Sequence, residues 1–140
     1  DYYETCWNRH NPAAVDQFMA PGYTNDGRLP GVSADAAGLK QWMAAVFQAF
    51  PDLEWTVEDV MAEGNQVAVR WTAKGSHQGE FMGIPPTGKK VAWSGMSRLR
   101  IADGKIAEQQ VCWNAFWFHE QIGTIPSWDE IVKQAQSKQT

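Results

Sequence analysis

The 140-residue chain is poor in cysteine and histidine and has no long apolar run. Its two cysteines, Cys6 and Cys112, form neither a Cys-x-x-Cys pair nor a metal-ligand spacing. That excludes a disulfide framework and fits a reducing, cytoplasmic setting. Three histidines without paired spacing supply no ligand set, so no metal is expected. No segment approaches the ~18 apolar residues of a membrane span, and no charged-then-apolar leader opens the chain, so no membrane partner is expected. Positive charge is also scarce: 12 Lys and Arg stand against 16 Asp and Glu, for a net charge of -4. Lys89-Lys90 and Arg98 with Arg100 are the local basic groupings, too small for a nucleic-acid face. Gly83-Ile84-Pro85-Pro86-Thr87-Gly88 carries prolines where a phosphate cradle needs free amide donors.

What is present is enough for one core. With 44% hydrophobic residues and no linker or low-complexity tract, residues 1–140 read as a single domain. Period-two alternation marks strands over Phe50 to Val60, Val67 to Gly75, Val91 to Ile101 and Ile106 to Trp113. Asp103-Gly104 between the last two supplies the positive φ angles of a tight hairpin. Four antiparallel strands in sequence follow.

The first fifty residues read as helical. Tyr2, Tyr3, Cys6 and Trp7 make an i, i+3, i+4 stripe, Asn11-Pro12 breaks it, and Ala13 to Met19 form a short second helix. Ser33 or Asp35 caps a third, whose apolar face is Leu39, Trp42, Met43, Val46, Phe47 and Phe50, with Pro51 ending it. Phe116 to Ile122 form a further helix capped by Gly123, and Ser127 is the N-cap of a last one. Helices packed on a bent antiparallel sheet make an α+β arrangement.

Eight tryptophans exceed what a small sheet needs for its core. Trp71, Trp93 and Trp113 fall on separate strands, Trp42 on the third helix and Trp117 on the helix after the sheet. A pocket walled by such rings suits a flat, hydrophobic small-molecule ligand. By alternation Asp59 shares a face with Trp55 and Val57 and is the strand carboxylate expected to point inward; Glu80 and Glu108 are the other carboxylates on or beside strands. His77 is either the general acid/base of such a pocket or a structural histidine bonded to its loop. His10 and His119 are expected to be solvated or to cap.

Several segments carry a family likeness: Cys6-Trp7-Asn8, Ala20-Pro21-Gly22-Tyr23, Phe50-Pro51-Asp52-Leu53, Gly75 through Gly88, Ile101 through Ile106, and Gln121-Ile122-Gly123. In that order they resemble the SnoaL-like polyketide cyclases, or ester cyclases, of the NTF2-like superfamily. The resemblance implies a cone: N-terminal helices packed on a strongly curved antiparallel sheet that encloses a pocket. It also implies ring closure by intramolecular aldol condensation without a cofactor, in which a base takes a proton α to a carbonyl and a donor stabilises the enolate.

At the positions where family members carry His, Trp and Asp, this chain has Gln109, Gln110 and Asn114, and Ser97 stands at another functional position. Asn114 has no proton affinity near neutrality and can only orient a carbonyl or donate to an oxyanion. Asn25-Asp26 occupies the place of a polar pocket pair, with Tyr23 just before it. Asp26 is a replacement base if it turns inward, or else a turn residue ahead of Gly27. The resulting expectation is a cofactor-independent cyclase or isomerase acting on a hydrophobic, polycyclic carbonyl compound. His77 or Asp26 would move protons, and Asn25, Ser97, Gln110 and Asn114 would orient the substrate. The alternative is a non-catalytic binding protein whose acid/base groups have been replaced. Apolar residues on both faces of the Val91 to Ile101 strand also predict a homodimer.

Overall fold

The computed structural model describes residues 1–26 and 31–138; the turn expected at Gly27 lies outside them. The chain opens with a widened π-helical turn, Tyr3–Asn8, that buries Tyr3, Cys6 and Trp7. A 3-10 turn at Pro12–Ala14 leads into α1 (Val15–Phe18), and the chain then extends into β1 (Met19–Asn25). Helix α2 (Ala36–Ala49) precedes β2 (Glu54–Glu63), β3 (Gln66–Ser76), β4 (Lys90–Ala102) and β5 (Lys105–Trp113). Helices α3 (Ala115–Ile122) and α4 (Trp128–Ser137) close the described chain.

The four expected strands are present and antiparallel to their sequence neighbours, but the sheet has five strands in the order β1-β5-β4-β3-β2. The expected helix from Ala13 to Met19 is cut short, and the added strand runs parallel to β5. Pro21 and Gly22 hide this strand in the sequence. Proline is tolerated there because β1 is an edge, where one missing N–H costs the ladder little.

Local chemistry sets the other boundaries. Asp35, rather than Ser33, caps α2: its carboxylate accepts from the Gly38 N–H at 2.9 Å, and Ser33 donates to it at 2.7 Å. Asp103 and Gly104 both adopt positive φ, 51° and 75°, as the hairpin turn demands. Gly123 ends α3 in the left-handed conformation, and Ser127 with Glu130 forms a capping box on α4.

Alternation sorts the sheet into two faces. Val69, Trp71 and Ala73, then Val91, Trp93, Ser97 and Leu99, and then Gln109 are buried, while their neighbours Arg70, Lys74, Met96, Gln110 and Cys112 are exposed. The buried face meets Leu39, Met43, Val46 and Phe50 from α2 and its cap. Phe50 packs against His77, Phe81, Trp93 and Phe118. The Gly- and Pro-rich loop after β3 turns back at Met82-Gly83, both with positive φ, and delivers Phe81 into this cluster.

Candidate functional site

The cavity lies between α2 and the inner face of the sheet. Six tryptophans line it: Trp7, Trp42, Trp55, Trp71, Trp93 and Trp113. Val32, Leu39, Val46, Phe81, Val111 and Phe118 add to the apolar wall. The cavity volume is about 80 Å³, room for several waters at ~10–15 Å³ each. The tryptophans pack on one another as well as on the cavity: Trp55 lies 4.4 Å from Trp7 and 4.3 Å from Trp71, and stacks with Tyr3 at 5.8 Å.

The polar groups of the lining are Tyr3, Asn25, Ser33, Ser97 and Gln109; among the described lining residues none is Asp, Glu, His, Lys or Arg. Gln109 is buried, and its Oε1 accepts from the Tyr23 hydroxyl at 2.8 Å. Ser97 is buried, and its Oγ accepts from Trp71 Nε1 at 3.0 Å. Burial pushes the Tyr3 hydroxyl up to about 12, opposed by the nearby Ser97 hydroxyl. No bond of sound geometry forms between the two, and the Tyr3 oxygen is left unpartnered. Burial likewise raises Tyr23 well above the usual phenol range, with the Asn25 side chain opposing. Both phenols are therefore neutral donors at physiological pH.

The structure places Asn25, Trp42, Trp71, Trp93, Ser97 and Trp113 together on the cavity. Tyr23 stands one layer behind, through Gln109. The remaining candidates lie elsewhere. Gln110 and Asn114 face outward, because Trp113 and Gln109 have the opposite parity on the same strand. Gln110 bonds to Arg98 at 2.7 Å and to Asp26 at 2.8 Å on the outer face. Asn114 is the exposed N-cap of α3, accepting from the Trp117 N–H at 3.0 Å, and Trp117 itself is 40% exposed. Asp59 does not share the inward face of Trp55: a register shift between Val57 and Asp59 intervenes, and its carboxylate accepts from the next N–H, that of Val60. Asp26 is exposed. Glu80 is exposed too, and Glu108 pairs with Arg98 and Arg100 outside the sheet.

His77 is fully buried, yet it is not among the residues lining the cavity; the Phe50 ring stacks on it at 5.4 Å. Its Nδ1 accepts from the Thr87 N–H at 3.3 Å and lies 3.0 Å from Thr87 Oγ1, which puts the proton on Nε2, where no partner takes it. The backbone groups of His77 bond to Lys89 and Gly88. This histidine ties the two ends of the loop together. His10 is similarly structural, stacked on Phe47 at 4.4 Å and bonded to the Leu53 carbonyl, and His119 bonds to Thr124.

Burial lowers the His77 pKa from its ordinary 6.5, with the Gly79 backbone partly opposing. The folded protein therefore prefers the neutral ring. As pH falls through about 6.5 the unfolded chain takes up a proton first, so this contribution to stability is complete above that pH and is lost below it. Urea denaturation from pH 7.5 down to 5 should show stability falling in the acid range, and falling less steeply in His77→Gln; identical slopes in the two proteins would contradict this.

Sequence reasoning does not reach Tyr3; it places Trp55 inward without a site role, and it sets Gln109 at a functional position of the family while giving the substrate-orienting role to Gln110. The signal for Gln109 was available: with Trp113 placed inward, alternation puts Val111 and Gln109 inward with it.

The chain belongs to the SnoaL-like polyketide cyclase family, whose sequence model matches residues 1–122. It is 29% identical over 99 residues to the nogalonic acid methyl ester cyclase of Streptomyces nogalater, covering 69% of this chain and 73% of that protein. Among solved structures it is similar to AclR, a candidate hydroxylase from Streptomyces galilaeus, at 32% identity and a TM-score of 0.79, covering 96% of this chain and 84% of that one. It is also similar to IdmH, a candidate polyketide cyclase from Streptomyces antibioticus, at 28% identity and a TM-score of 0.74 over 86% of this chain and 91% of that one. Among the described residues no group of three His, Cys, Asp or Glu lies close enough to hold a metal ion, and no helix is long and apolar enough to cross a membrane.

Proposed function

We propose that this chain is a cyclase- or isomerase-type protein that takes a flat, hydrophobic, polyketide-derived carbonyl compound into the tryptophan-lined cavity. The observation that carries this reading is the lining itself: six indole rings around five polar, uncharged groups. Such a site excludes water, and its donors can polarise a carbonyl and hold the negative charge of an enolate. The polyketide cyclase names of the family and of IdmH support a substrate of the polyketide class. No resident cofactor enters the proposal.

In the catalytic form of this reading Asp26, which follows the lining residue Asn25 but bonds to Gln110 on the outer face, would have to leave that bond and turn inward to accept the proton, and His77 supports the loop rather than touching substrate. The second reading, a binding protein that performs no chemistry, is favoured by the absence of any ionisable acid or base among the described lining residues apart from the Tyr3 phenol. The two separate in one experiment, in which the protein is incubated with a panel of polycyclic ketones and lactones and products are followed by mass spectrometry. Turnover that Asp26→Asn lowers by at least ~100-fold supports the enzyme, since general-base catalysis contributes about 10²–10⁴ in rate. Saturable binding without turnover supports the carrier, and neither binding nor turnover ends both. We also assign the outer sheet face, where exposed Met96 lies opposite Cys112, to a homodimer contact, and light scattering of the same samples reads its mass.

A further inference from the structure

The cavity's polar groups are oriented as well as present. Gln109 has one amide oxygen and one NH2 group, and the Tyr23 hydroxyl engages the oxygen. No hydrogen bond among the described residues takes up the amide nitrogen. The Tyr23 O–H has Gln109 Oε1 as its acceptor at 2.8 Å. Flipping the amide would set an NH2 group there and strand the phenol's proton in a buried place. Donation therefore runs from Tyr23 to Gln109, and this relay ends in N–H groups.

A second relay ends beside it. Trp71 donates to Ser97 Oγ, so the Ser97 hydroxyl proton is directed away from the indole, and the unpartnered Tyr3 hydroxyl lies nearby. In the β4–β5 ladder Ser97 faces Val111 and Leu99 faces Gln109. Ser97 and Gln109 are thus diagonal neighbours on the inner face, about 7–8 Å apart at the backbone and within mutual reach of one ligand oxygen. A carboxylate or ammonium placed there would lose its hydration with no opposite charge in the lining to offset it.

Resting on the reading that the cavity binds a flat aromatic compound, we propose that Gln109 and Ser97 form a subsite that selects an uncharged ketone or quinone oxygen. Tyr23 and Trp71 are its positioning residues. The ligand class is thereby narrowed from any flat hydrophobe to one that presents a bare carbonyl oxygen toward β4 and β5.

The test uses two probes of nearly one shape, fluorenone and fluorene, which differ by the carbonyl. Each is titrated into the intact protein by calorimetry. Wild type should bind fluorenone about tenfold or more tightly, the ratio that one good hydrogen bond in a buried site supplies. Gln109→Leu should remove the preference by weakening fluorenone about tenfold relative to fluorene, whereas a merely structural loss would lower both affinities alike and leave their ratio in place. Tyr23→Phe, which retains the ring but frees the amide to rotate, should reduce the preference in the same direction. Equal affinities for the two probes in wild type would overturn this subsite and leave the aromatic cavity standing. Full preference retained in both variants would also overturn it. Binding of neither probe would overturn the proposed function along with it.

Discussion

Phe50→Ala should lower the unfolding free energy by about 3–5 kcal/mol, the range for a large aromatic removed from a packed core. Phe50 has no solvent exposure, and its ring meets Trp93 at 5.1 Å, His77 and Phe81 at 5.4 Å and Phe118 at 6.0 Å. It stands where the C-terminal end of α2, the loop after β3 and the inner face of β4 converge. These neighbours belong to separate elements that cannot collapse together without moving backbone, so the void should persist. Urea denaturation monitored by tryptophan emission measures the effect. A loss under about 1 kcal/mol would mean the site relaxes freely, contrary to the packing described here.

Gly95→Ala should cost about 1–3 kcal/mol through overpacking and should weaken ligand binding at the same time. On most strands replacing glycine with alanine is favourable, since glycine weakens a strand interior. At this position an added methyl group would lie 2.6 Å from the Cys112 carbonyl oxygen and 2.7 Å from Trp71 Cη2. The backbone oxygen cannot give way cheaply, so the Trp71 indole must move. That indole lines the cavity and donates to Ser97, which carries the strain from β4 into the subsite. Near-ultraviolet circular dichroism reports the indole's displacement and denaturation reports its cost. An alanine variant as stable as wild type, with an unchanged spectrum, would contradict this close approach.

The fold was legible where periodicity was clean. The apolar face of α2, the Asp-Gly hairpin and the capping residues at Gly123 and Ser127 depend on local chemistry that no distant contact overrides. β1 was not legible, because its ladder partner lies more than eighty residues away and its own Pro21-Gly22 resembles a loop. The tryptophan wall was legible from composition and strand placement. The polar half of the site was read less well, because it depends on parity. Asp59 was displaced by a register shift that a sequence does not announce. Gln110 and Asn114 were set against the inward position already given to Trp113, and only one parity can hold on a regular strand. His77 shows a different limit: the sequence leaves it as either an acid/base or a structural histidine bonded to its loop, and the burial under Phe50 that separates the two comes from a residue 27 positions away.

A crystal structure of the protein with bound fluorenone tests the central claim most directly. The ligand is expected between α2 and the sheet, its rings against Trp42, Trp71 and Trp93, and its oxygen within hydrogen-bond distance of Gln109 Nε2 or Ser97 Oγ. Density on the outer sheet face instead, with the cavity closed, would contradict the assignment of this cavity as the functional site.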